Sequence, residues 1–311
     1  MAIVFACGHP GLELCAVTTV AGNIGLPRTT ANALSVLEFA GYPDVPVASG
    51  SPAPLLRPAV HARHVHGDSG LGQAQLPPPK TRPLDMAATD LIIDRIGASP
   101  GEITLVATGP LTNIALAVRR QPTLVHQVAD FVIMGGSATR GNVTPAAEFN
   151  IVTDPEAAAI AFGAGWQVTM IGLHVTLQVE ADFGVRERMD RLGRLGSRLL
   201  EPGLRGYRAA KTTPPELLPG PPARPGPPAS GPPVHDLCAL AQVAEPGLFT
   251  YRPARVEVET AGRWTAGMTV TDFCTSPQDR NTLLATSVDK ARFWDTVFDA
   301  WARVPAAQSA D

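Results

Sequence analysis

Five short apolar runs alternate with helical patterns through the first part of this 311-residue chain, and that alternation limits the possible folds more than any other feature. The runs are Leu14–Val20, Val45–Ala48, Ile103–Ala107, Phe131–Met134 and Val168–Ile171. Between them, helices are expected at Arg28–Ala40 (ended by Gly41), Asp85–Ile96 (closed by Gly97), Leu111–Val118 and Pro155–Phe162. Strands that are apolar at every position need cover on both faces, and the intervening helices supply it together with the crossovers of parallel pairing. The expected fold is therefore α/β: a doubly wound, mostly parallel sheet flanked by helices.

The first residues fit this scheme only in part. Met1–Cys7, followed by Gly8-His9-Pro10, reads as the end of a helix with its stop signal but no N-cap. A helix feeding the strand at Leu14 is the crossover of a βαβ unit, so the first strand of that unit is expected to be missing from the sequence. A frayed terminal helix is the alternative.

The pattern changes after Thr176. Val185, Met189, Leu192, Leu195 and Leu199 recur at helical spacing, the mark of a core-facing stripe. Pro214–Pro233 holds ten prolines in twenty residues, which excludes a helix or strand interior and reads as an exposed loop inserted into a single domain spanning 1–311. A helix opens at Val234-His235-Asp236-Leu237 and runs to Val243. Short strands follow at Val256–Val258, Met268–Val270 and Thr282–Ala285, then an amphipathic helix carrying Phe293, Trp294, Val297, Phe298 and Trp301.

Composition excludes several classes of function. A net charge of −3 without a basic run gives no nucleic-acid footprint. No apolar run approaches the ~20 residues a bilayer span needs, so no membrane role is expected. There is no Lys or Arg before Arg28, so a secretory signal is not expected. Four cysteines without a C-x-x-C pair argue against a zinc site or a disulfide framework and suit a reducing, cytoplasmic setting.

In doubly wound sheets, ligands bind beyond the carboxyl ends of the strands. Three polar clusters are expected there: Ala21-Gly22-Asn23, Thr108-Gly109-Pro110, and the stretch from Gly135 to Asn150. Within the last, Asn142, Glu148 and Asn150 place two amides and a carboxylate within nine residues. Such a set suits a hydroxyl-rich ligand such as a sugar, because each hydroxyl wants both a donor and an acceptor. The other reading is a polar loop that caps its own turns.

The chain resembles the inosine–uridine preferring nucleoside hydrolases. The residues that carry the resemblance are Val17-Thr18-Thr19-Val20-Ala21-Gly22-Asn23, His66-Gly67-Asp68-Ser69-Gly70-Leu71-Gly72, Ala107-Thr108-Gly109-Pro110-Leu111-Thr112-Asn113, Met134-Gly135-Gly136 with Gly141-Asn142 and Glu148-Phe149-Asn150, Asp154-Pro155-Glu156-Ala157-Ala158, and His235-Asp236. They occur in family order and cover nearly the whole chain.

The resemblance implies hydrolysis of the N-glycosidic bond of a small-molecule ribonucleoside, aided by a bound calcium ion, in a homo-oligomer serving purine or pyrimidine salvage. It implies that Asp236 and the Thr108 carbonyl bind calcium, that Asn23, Asn142, Glu148, Asn150 and the Met134 backbone bind ribose, and that His66 lies on a loop over the pocket. His235 would sit by the leaving base and help protonate it. These roles suit the chemistry: carboxylates and amide oxygens stabilise a ribosyl cation, calcium takes hard oxygen donors, and His titrates nearest neutrality.

Three departures stand out. The family's Asp-x-Asp-x-Gly-x-Asp-Asp motif, the source of its general base and most of its calcium carboxylates, falls before Met1. The expectations are a start assigned too far downstream, with weak or absent calcium binding as written, or a truncated, inactive homologue that binds nucleoside or ribose. The proline-rich insertion is the second departure. The third is His174 in Gly172-Leu173-His174-Val175-Thr176, where an acidic or amide residue is expected. A phosphorolytic ribosyl transferase would need a basic or Gly-rich phosphate site, and none lies beside these motifs.

Overall fold

The structure, a computed structural model, describes residues 1–205 and 231–308. In chain order the elements begin with α1 (Ala2–Gly8), β1 (Val17–Thr19), α2 (Leu26–Ala40), β2 (Val47–Ser49), α3 (Arg63–His66), α4 (Ala88–Ala98), β3 (Thr104–Ala107), α5 (Thr112–Arg120) and β4 (Asp130–Met134). There follow α6 (Phe149–Thr153), α7 (Pro155–Phe162), β5 (Val168–Ile171), α8 (Leu173–Thr176), α9 (Phe183–Asp190), α10 (Gly193–Leu195), α11 (Glu201–Arg205) and α12 (Asp236–Ala244). The remainder is β6 (Phe249–Val258), β7 (Thr269–Asp272), β8 (Thr282–Val288), α13 (Lys290–Trp301) and α14 (Pro305–Gln308).

The main sheet has the order β3-β4-β5-β8-β6-β7. β3, β4, β5 and β8 are parallel, while β6 pairs antiparallel with β8 and β7 antiparallel with β6. β1 and β2 form a separate parallel pair in the register Val17↔Val47. The sheet is thus mostly parallel, as expected, and broken between β1 and β3. The loops beyond the two strands nevertheless meet, with Gly22 packed against Pro110 and the Asn113 amide bonded to Thr19 O at 2.9 Å and Ser51 N at 2.9 Å.

Side-chain direction shows why the central strands are apolar throughout. Phe131 and Ile133 of β4 enter one core and Val132 and Met134 the other, because successive residues point to opposite faces. The first core is closed by α4, α5 and α7, the second by α1, α12 and α13 with part of α2. Trp301, Phe5 and Phe293 are fully buried in the second core. Burial of each large side chain contributes about 1.5–3 kcal/mol.

Most expected boundaries are close to the observed ones. α2 ends at Gly41, whose φ of 94° only glycine adopts easily, and its N–H satisfies the carbonyls of Leu37 and Glu38. The first strand is only Val17–Thr19, shorter than Leu14–Val20. α4 runs through Gly97 to Ala98. β6 is ten residues long, against the three expected at Val256–Val258. Its first part, Phe249–Arg255, contains Pro253 and two arginines, and it is held by pairing with β8 rather than by an apolar pattern. The helical stripe is not one helix: α9, α10 and a π-turn at Gly196–Leu200 divide it, with Gly193 at φ 50°. Val185, Met189, Leu195 and Leu199 still reach the core.

α1 ends at Gly8 as expected, packs on α12 and α13, and buries Val4 and Phe5 completely. Of the proline-rich segment, only Gly231–Pro233 falls within the described residues. The rest lies outside them. No helix among the described residues is long and apolar enough to cross a membrane.

Candidate active site

A crevice of about 440 Å³ lies at the carboxyl ends of β1, β3 and β4 and the start of α12. All nine residues singled out in the sequence line it: Asn23, His66, Thr108, Met134, Asn142, Glu148, Asn150, His235 and Asp236. They come from six separate segments of chain, and only the fold brings them together.

One wall of the crevice is built around Glu148. It caps α6, and its Oε2 accepts the backbone N–H groups of Gly136 (2.9 Å), Asn150 (3.0 Å) and Ile151 (3.3 Å). Glu148 is 3% exposed, and burial pushes its carboxyl up to about 7 against the pull of those donors, with the charge of Asp236 adding to the rise. Asn150 is buried and donates from Nδ2 to the Met134 carbonyl at 2.9 Å. Asn142 is exposed at the rim, and its Oδ1 accepts the Phe149 N–H at 3.0 Å. Glu148 and Asn142 thus cap their own turns, as the plainer reading of the loop expects, and the same side chains also line the crevice.

Asp236, the first residue of α12, lies deep in the protein mass yet faces the open crevice. Desolvation by the surrounding protein pushes its carboxyl up to about 6. The amino group of Met1 lies close enough to oppose the rise. His235, the N-cap of α12, is bonded through Nδ1 to Thr176 Oγ1 at 2.7 Å. Burial brings its imidazole down to about 4, with the neighbouring His66 contributing, so His235 is neutral at neutral pH. His66, on α3, is also held below the usual histidine range by burial and by His64.

Several motif residues prove to be scaffold. Asp154 is fully buried and accepts from Thr112 Oγ1 (2.6 Å), Leu55 N (2.9 Å) and Ala157 N (3.1 Å). Glu156 holds Arg57 through a two-toothed pair at 2.7–3.0 Å. Sequence reasoning did not single out His61 and His64, or the leucines Leu199, Leu200 and Leu204, all of which line the crevice. Of these leucines only Leu199 belonged to the helical stripe, a signal that marks burial but not a cavity wall.

Calcium takes six to eight oxygen ligands. The crevice supplies the Asp236 carboxylate and the Thr108 residue from the expected set, and no group of three His, Cys, Asp or Glu among the described residues could hold a metal. The described residues therefore do not make up a complete calcium site.

The model of the inosine-uridine preferring nucleoside hydrolase family matches residues 1–295. The inosine-uridine preferring nucleoside hydrolase of Crithidia fasciculata is 39% identical over 307 residues, covering 98% of this chain and 94% of that protein. The non-specific ribonucleoside hydrolase RihC of Salmonella typhi is 40% identical with the same coverage. Among solved structures, a purine-preferring ribonucleoside hydrolase from Gardnerella vaginalis superposes with a TM-score of 0.86 at 30% identity, covering 98% of this chain and 95% of that one. A plant nucleoside hydrolase, PpNRh1, gives 0.81 at 32% identity, covering 97% and 94%.

Proposed function

This chain belongs to the inosine-uridine preferring nucleoside hydrolase family, and we propose that its crevice cleaves the N-glycosidic bond of a ribonucleoside with water to give a free base and ribose. The observation that carries this reading is the convergence of the nine residues from six segments on one crevice. The family consists of N-ribohydrolases, and the chemistry below is assigned to this chain's own side chains.

Ribose lies against Asn23, Asn142, Glu148 and Asn150, whose amides and carboxylate pair with its hydroxyls. The base lies toward His66, His235 and the leucines of the π-turn and α11. As the bond from C1′ to the base nitrogen breaks, its electron pair leaves with the base and positive charge grows on the sugar. The carboxylates of Asp236 and Glu148 and the nearby amide oxygens stabilise that charge. Asp236, anionic above about pH 6 and open to the crevice, orients the water whose oxygen bonds to C1′. His235 is neutral, so it acts as a hydrogen-bond partner for the departing base, which gains the water's proton overall. Thr176 fixes the orientation of the His235 ring.

A metal cofactor is consistent with the family. In this chain Asp236 and the Thr108 carbonyl are the share of a hard-cation site we assign, and two ligands are too few for calcium, so no step is routed through it. The names of the relatives include both inosine-uridine preferring and non-specific enzymes, and we extend the substrate class here to purine and pyrimidine ribonucleosides. A homo-oligomeric state and a cytoplasmic location belong to the same proposal.

The test is a reducing-sugar assay with inosine and with uridine, comparing the wild type with Asp236→Asn. Ribose release that falls at least about 100-fold in the variant supports the assignment. Nucleoside binding without release of ribose from either substrate would make the chain a binder instead.

A further inference from the structure

His174 is where the sequence departs from the expected acidic or amide residue, and the mechanism above makes no use of it. It sits on the single turn of α8, directly after β5. Its Nδ1 accepts the N–H of Ala138 at 3.2 Å, and its Nε2 lies 2.8 Å from the Ala285 carbonyl in β8. A carbonyl only accepts, so Nε2 carries the proton and Nδ1 does not. The two partners select one neutral tautomer. Burial holds the ring below the usual histidine range, in keeping with that neutral form. A carboxylate here could accept from Ala138 but could not donate to Ala285. The imidazole does both across one ring.

The segment it holds is the start of the sugar wall. The chain leaves β4 through Gly136, at φ 68°, where an added Cβ would come within 2.7 Å of Met170 and Thr269. The next residues are fastened from outside the crevice. The Gly136 carbonyl accepts from Leu173 N at 2.8 Å, and Ser137 exchanges two bonds with Thr269, 2.9 Å from its N–H to Oγ1 and 2.8 Å from the hydroxyl to its carbonyl. Ala138 donates to His174. From the inside, the Gly136 N–H donates to Glu148. The segment 136–138 thus couples α8 and β7 to the carboxylate of the wall.

We propose that His174 is a positioning residue for substrate: by accepting the Ala138 N–H it fixes the segment that holds Glu148 against ribose, an inference that rests on the ribonucleoside reading above. It acts through the loop and touches no reacting atom, so its loss weakens binding more than chemistry.

Two near-isosteric variants separate the two ties. His174→Asn puts an amide oxygen near the position of Nδ1 and so keeps the Ala138 bond. His174→Gln reaches Ala285 and loses the acceptor for Ala138. The expected result is KM for inosine within about twofold of wild type in His174→Asn and raised about tenfold in His174→Gln, with kcat changed less in both. Hydrogen exchange without substrate gives a second readout: the Ala138 and Gly136 amides stay protected in wild type and His174→Asn and exchange faster in His174→Gln. Equal KM and equal protection in the two variants would overturn the proposal, as would a loss in His174→Asn matching that in His174→Gln. If the wild type releases no ribose, the functional reading fails, while the exchange comparison still decides whether His174 holds the loop.

Discussion

Among single residues, Glu148 shows how one side chain serves both the fold and the site. Its carboxyl is raised from the ordinary value of 4.5 to about 7 when folded. The folded protein therefore holds this proton more tightly than the unfolded chain does. Below about pH 4.5 both states are protonated and burial of the group costs nothing electrostatically. Between about 4.5 and 7 the unfolded chain ionises first, so stability is lost as pH rises, and above 7 the loss is complete, on the order of 3 kcal/mol. Glu148→Gln keeps an oxygen for the three N–H donors and removes the ionisation. Its thermal midpoint is expected to gain on that of the wild type as pH goes from 5 to 8, while ribose turnover falls at least about 100-fold. Parallel melting curves across that range would refute the assignment. That Asn142, Glu148 and Asn150 belonged to a polar, ligand-suited loop was legible in the sequence. That Glu148 spends one oxygen on three backbone donors was not, because those donors come from both sides of a twelve-residue loop.

Among the helices and strands, α1 has an effect out of proportion to its seven residues. It packs against α12, whose N-cap is His235 and whose first residue is Asp236, and its Phe5 is fully buried. Phe5→Ala is expected to cost about 3–5 kcal/mol in urea unfolding and to weaken nucleoside binding by loosening α12. A cost below about 1 kcal/mol would mean that α1 is peripheral. Elements with strong local signals were readable in advance: β5 and α7 lie where the apolar run and the Asp154-Pro155 start placed them. β6 was mostly missed, since pairing with β8 outweighs its Pro and Arg content. The stripe after Thr176 reports burial correctly, while its spacing carries no information on the breaks at α10 and the π-turn that divide it.

For the molecule as a whole, the crevice depends on how the sheet pieces, α12 and the loops assemble, and so does any metal it takes. With Asp236 and Thr108 as its share of ligands, this chain is expected to bind calcium no more tightly than about 1 mM, so that 1 mM calcium adds at most about 0.4 kcal/mol to its stability. A rise of several degrees in the thermal midpoint on adding calcium, reversed by a chelator, would show a ligand set that the described residues do not reveal. Local patterns in the chain were enough to establish the alternation of strands and helices and the mostly parallel sheet with cover on both faces, because periodicity and helix caps are properties of neighbouring residues, whereas the set of nine crevice residues came from the resemblance to the family. Only the assembled fold made Asp154 and Glu156 scaffold while Asp236 faces the crevice, kept His235 neutral, turned Leu199, Leu200 and Leu204 into a wall, and set His174 behind the loop of Glu148. Each of these depends on desolvation or on hydrogen bonds between residues far apart in sequence, and neither quantity exists until the chain has folded.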